Sequence, residues 1–146
     1  MRHNGQCLAL AVLLFQAGEG LLGLGMMVSK AIPEWAKVKT GDLKALELRQ
    51  ENISSHAVIL RALGSVGADL MKEDPSSWKG RLLDLQDGNW GKKNPDWENV
   101  CLIANSVVSN RQARLATKAY VKLRLGLKLT DAETRSLPER LRLHVA

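Results

Sequence analysis

The stretch ISSHAVILRALGSVGADLM, from Ile53 to Met71, decides the fold class. Ala57, Leu60, Leu63 or Gly64, Gly67 and Leu70 or Met71 recur at intervals of three and four, which is one face of an α-helix and not the alternation of a strand. Ser54 or Ser55 is placed to cap its start. Gly64 and Gly67 lie on the apolar face and read as points where a neighbouring backbone approaches closely, at about 1 kcal/mol of helix propensity each. Composition points the same way, because Leu and Ala dominate the apolar residues and the aromatic residues number four Trp, one Tyr and one Phe. The expectation is an all-α or mostly α chain, a small helical domain of about five to six helices with a Trp-containing loop.

Toward the C-terminus, Asp74-Pro75-Ser76-Ser77 stops this helix and starts another, since Pro disfavours helix at the residue before it and Ser caps the next turn. Trp78 to Gln86 then reads as a short amphipathic helix carrying Leu82, Leu83 and Leu85. Asp87 to Asn99, DGNWGKKNPDWEN, is a loop by composition, with two Gly, an Asn-Pro and three Asn in thirteen residues. Trp90 and Trp97 flank Lys92, Lys93, Asn94, Pro95 and Asp96 in it. Such rings either anchor the loop into the core or form a stacking surface beside two cations, as single-strand binding sites do.

From Arg111 to Leu125 the pattern is helical again, and Arg111, Arg114, Lys118 and Lys122 fall on one side. Gly126 is placed to end this helix, and Thr130-Asp131-Ala132-Glu133 reads as a capping box that opens a last helix or tail over 131–146. The net charge of +6 is concentrated here: between Asn105 and Lys128 stand six basic residues and no acid, whereas the rest of the chain carries fifteen of each sign. A merely solvating helix tends to mix signs, so this stripe suits a phosphate backbone, where each cation releases condensed counterions.

Toward the N-terminus, Thr40-Gly41-Asp42 forms a turn before the helical LKALELRQ, and Ile32-Pro33 opens a short segment from Glu34 to Val38. Residues 1–28 form an apolar, Gly-rich segment. Cys7 to Phe15 has the length of a signal-peptide core, but Glu19 interrupts the stretch before the ~20 residues a membrane span requires. A core-facing helix and a signal-like segment both remain open, and a membrane partner is not expected. The 146 residues, 45% apolar and 25% charged, exclude collagen-like, Pro-rich and wholly disordered classes. Cys7 and Cys101 stand far apart without a Cys/His cluster, and His3, His56 and His144 are scattered, so no metal site, no cofactor and a reducing cytoplasmic location are expected. No nucleophile stands at motif spacing from a base and no Gly-rich phosphate loop is present, so no catalytic residue is assigned and the chain is expected not to be an enzyme.

Three segments in order resemble the C-terminal part of the DNA sulfur modification protein DndB family: Ile32 to Leu70, Trp78 to Val100 and Val107 to Glu133. The middle one matches an Asp-x-x-Trp-x-x-x-Asn-Pro-x-Trp-Glu pattern at Asp87, Trp90, Asn94, Pro95, Trp97 and Glu98, and the third matches at Ser109, Leu115, Thr117 and Leu125-Gly126-Leu127. The family's N-terminal half carries an Asp-Gly-Gln-His-Arg motif that is absent from this sequence, so a truncated or split member is expected, with 29–130 as its helical domain. The resemblance implies membership of the system that replaces a non-bridging phosphate oxygen of DNA by sulfur, in the role of a DNA-binding repressor and not of a sulfur-transfer enzyme. Arg111, Arg114, Lys118 and Lys122, assisted by Lys92 and Lys93, are then the candidate contacts to double-stranded DNA. The alternative is a non-enzymatic interaction or scaffold fragment that docks on other DNA-modification proteins through its Trp loop and Gly-bearing helix; a homo-oligomer is open in either case.

Overall fold

The computed structural model describes residues 32–54 and 56–145. The readings made for residues 1–28, and for Ser55 as a cap, lie outside the described residues. Seven α-helices appear among the described ones: α1 (Pro33–Thr40), α2 (Ala45–Glu51), α3 (Ala57–Glu73), α4 (Trp78–Leu82), α5 (Arg111–Arg124), α6 (Asp131–Ser136) and α7 (Glu139–Arg142). Two 3-10 turns, Leu83–Asp87 and Pro95–Trp97, lie between α4 and a small antiparallel hairpin of β1 (Leu102–Ile103) and β2 (Ser106–Val107). The molecule is mostly α, as its periodicity predicts. None of the described helices is long and apolar enough to cross a membrane.

Helix α3 packs chiefly against α5. From α3 come Val58, Ile59, Ala62, Leu63, Val66 and Leu70, and α5 answers with Ala113, Ala116, Ala119 and Tyr120. Small residues come from both helices, Ala113, Ala116 and Ala119 from α5 and Ala62 and the buried Gly67 from α3. Gly64 does not have the role its position suggests, because a Cβ there would meet nothing within 4 Å. Nor does Ser54 cap α3: the helix starts after His56 with no side-chain cap, while the buried Ser54 hydroxyl accepts the Trp35 indole N–H at 3.1 Å.

The ends of α5 follow from its sequence. The Asn110 side chain accepts the Ala113 N–H at 2.8 Å, satisfying one of the orphan donors of the first turn. At the other end Gly126 adopts φ +70°, where a Cβ would be strained, and lets Leu127 N–H reach the Lys122 carbonyl at 2.9 Å. The chain then turns back into α6, whose start is the expected capping box: Thr130 Oγ1 accepts from Glu133 N, and Glu133 Oε1 accepts from Thr130 N. The predicted helix over 78–86 becomes α-helical only to Leu82 and tightens to 3-10 geometry, burying Leu82 and Leu85. Cys101 is a buried part of this core, and burial pushes its thiol up to about 11.

Candidate functional site

Trp90 and Trp97 anchor their loop. They are 3% and 2% exposed, their rings stack at 5.5 Å, and the edge of Tyr120 on α5 meets Trp97 at 4.6 Å. A stacking platform for a nucleotide base is ruled out at these rings by that burial. The cavity beside them, lined by Leu85, Gly88, Trp90, Trp97, Tyr120 and Arg124 among others, is about 10 Å³, the size of one water.

Trp90, Asn94, Pro95, Trp97 and Glu98 of the motif each hold a part of this loop, together with Asn89 just before Trp90. Asn89 is its hub: its carbonyl accepts both the Trp97 indole N–H at 2.8 Å and the Asn94 side-chain amide at 2.9 Å, and its own side chain accepts Gly91 N–H. Asn94 Oδ1 accepts Asp96 N–H at 3.1 Å, which starts the 3-10 turn with Pro95 in its first position. Asp96 in turn accepts the Tyr120 hydroxyl at 2.8 Å, and burial, reinforced by that carboxylate, raises the phenol well above its ordinary range. Trp90 carbonyl and Lys92 N–H pair with Ile53 N–H and the Glu51 carbonyl, so the loop is laid along the α2–α3 connection. Asp87 ends the first 3-10 turn, exposed, and Glu98 Oε1 accepts Ala104 N–H in the hairpin at 3.4 Å.

The six basic candidates differ in three dimensions. Arg111 and Arg114 are exposed on the first turns of α5. Lys118, half-buried, pairs with Asp69 of α3 at 3.1 Å. Lys122 is a correction to the stripe: it is 8% exposed, and its Nζ donates to Glu133 Oε1 at 2.8 Å. Burial pushes the Glu133 carboxyl up, but the bonds from Lys122 and Thr130 outweigh it and hold the group below its ordinary range. The reason is α6, which folds back along α5 and covers the Lys122 end of the stripe. Of the two loop lysines, Lys93 is exposed and Lys92 half-buried. Arg124 and Lys128 are also exposed, so five of the basic side chains from Arg111 to Lys128 reach solvent wholly or in part.

One structural residue carries no sequence signal at all. Arg140 of α7 aims Nη2 at the carbonyls of Pro95, Asp96 and Glu98, at 2.8, 3.1 and 2.6 Å, and so ties the C-terminal helices to the Trp loop. A helical body that locks a tryptophan-bearing loop beside a cationic helix defines a small α-helical protein with a cationic surface and a built loop. The chain belongs to the DndB family: the family model, described as DNA-sulfur modification-associated, matches residues 26–128. It is therefore a protein of DNA sulfur modification. The match takes in the Trp loop, the hairpin and α5, and stops short of α6 and α7. No curated protein and no solved structure shows significant similarity to the chain.

Proposed function

We propose that this DndB-family protein binds duplex DNA and acts as a non-enzymatic regulator of DNA sulfur modification. The observation that carries the reading is the surface of α5, where Arg111 and Arg114 are exposed in a segment that holds no acid from Asn99 to Thr130. Lys118 contributes less, because Asp69 already neutralises it, and Lys122 contributes nothing. Cations placed in this way fix the protein on the phosphates without reading sequence.

The test is a titration of labelled duplex DNA with the full chain at several salt concentrations. Affinity falls steeply with salt, and replacing both Arg111 and Arg114 by Gln lowers the slope of log affinity against log salt by about two, one for each phosphate no longer neutralised. An unchanged slope removes the assignment of these two residues. Absence of duplex binding at low salt removes the reading itself and leaves docking on another modification protein.

A further inference from the structure

The β1–β2 hairpin follows the Trp loop directly and is tied to its last residues, Asn99 N–H donating to the Leu102 carbonyl at 2.9 Å. Ile103 pairs with Ser106, so the turn is two residues, Ala104 and Asn105. Both have positive φ, 49° and 67°, as in the turn type that matches the twist of a two-residue hairpin. Asn tolerates that region, whereas Ala holds it at a cost of about 1 kcal/mol. The strained Ala104 offers its N–H to the Glu98 carboxylate, and Glu98 also bridges to Leu102 through the backbone. The last residue of the Trp-loop motif thus supports the hairpin turn.

Strand alternation then separates two neighbours. Leu102 is 3% exposed and joins the core, and Ile103 is 52% exposed. Three residues, Val108 to Asn110, lead from β2 into α5. The chain from Ser106 to Arg111 spans at most about 17 Å, and Arg114 follows about one helical turn further on. No carboxylate stands in the sequence between Ile103 and these arginines, and the Glu98 carboxylate at the turn is engaged by the Ala104 N–H. A two-stranded ribbon fits a DNA groove, and Ile supplies an apolar surface to thymine methyls or between base steps.

We propose that the β1–β2 hairpin is the groove-binding part of a duplex-DNA interface, with Ile103 set against the bases while Arg111 and Arg114 hold the flanking phosphates. The proposal rests on the duplex-binding reading above and adds to it the one group that touches bases. An apolar group packed on bases releases no counterions, and that property separates the two.

The experiment compares the full wild-type chain with Ile103→Ala, Ile103→Thr and Arg114→Gln by anisotropy titration of a labelled mixed-sequence duplex at several salt concentrations. Both Ile103 variants bind roughly five- to tenfold more weakly at every salt, the scale of a single base interaction, with the wild-type slope. Arg114→Gln instead lowers the slope by about one. Ile103→Thr keeps the β-branched shape suited to a strand, and it decides the matter if Ile103→Ala loses its helical circular dichroism. Wild-type affinity in a folded Ile103→Thr variant overturns the hairpin proposal and leaves the duplex reading standing. A lowered slope in that variant also overturns it, since the hairpin would then act through the cations. Failure of the wild-type chain to bind duplex at low salt overturns both.

Discussion

A lysine on a helix is ordinarily solvated, yet Lys122 is held between α5 and α6 with its side chain 10% exposed, against a Glu133 side chain 5% exposed. Removing one partner of such a pair leaves the other charge buried and alone, whereas removing both lets apolar groups fill the space. Lys122→Met is therefore expected to destabilise the protein by about 3 kcal/mol in urea denaturation. Lys122→Met combined with Glu133→Leu recovers part of that stability, the remaining deficit being the capping-box bond to Thr130. A cost below about 1 kcal/mol for the single change would show the pair to be solvated. Helical spacing puts Arg111, Arg114, Lys118 and Lys122 on one side of α5. It is blind to Glu133, which comes to Lys122 only because Gly126 turns the chain back, and so the stripe is legible in the sequence while its accessible length is not.

At the scale of elements, the Trp loop and the hairpin illustrate what local pattern can and cannot carry. The loop itself is legible from its Gly, Asn and Pro content, and its tryptophans are legible as a choice between anchor and platform that only burial resolves. The hairpin is not legible: two residues per strand give no run of alternation, and Ala-Asn lacks the Gly that marks such turns. Replacing Ala104 by Gly relieves the positive φ, so Ala104→Gly is expected to raise stability by about 0.5 kcal/mol, measured as a higher urea midpoint with unchanged denaturant slope. A lower midpoint would mean the turn is unstrained. Arg140 makes the opposite case, a residue that stabilises an element 42 to 45 positions away. Charge-assisted bonds to backbone carbonyls are worth more than neutral ones, but these are exposed, so Arg140→Met is expected to cost about 1–2 kcal/mol. Faster hydrogen exchange at the Trp97 indole and the Val100 amide locates the effect in the loop, and unchanged exchange there would place the role of Arg140 elsewhere.

For the molecule as a whole, the mostly α class follows from periodicity in α3 and α5, whose apolar faces are long enough to be read without a partner. Two junctions between successive helices, α2 with α3 and α5 with α6, each hold a group that titrates. His56 sits where α2 hands over to α3, with Nε2 against the Arg49 carbonyl at 3.1 Å. Burial lowers its pKa from 6.5, and the charges of Arg49 and Lys92 act in the same direction, against the raising effect of the bond to the carbonyl. Glu133 is also lowered, from 4.5. In both cases the unfolded chain binds more protons than the folded one just below the ordinary value, so folding is favoured by deprotonation and stability rises with pH through each window. The expected profile is two declines on acidification, one setting in as pH falls below 6.5 and a second below 4.5. His56→Gln keeps a donor for the Arg49 carbonyl and cannot charge, so it flattens the first decline and leaves the second. Urea midpoints measured from pH 8 downward check this: a wild-type midpoint that holds constant while His56 would be taking up its proton contradicts the burial of His56, and a first decline that persists in His56→Gln assigns it to another group.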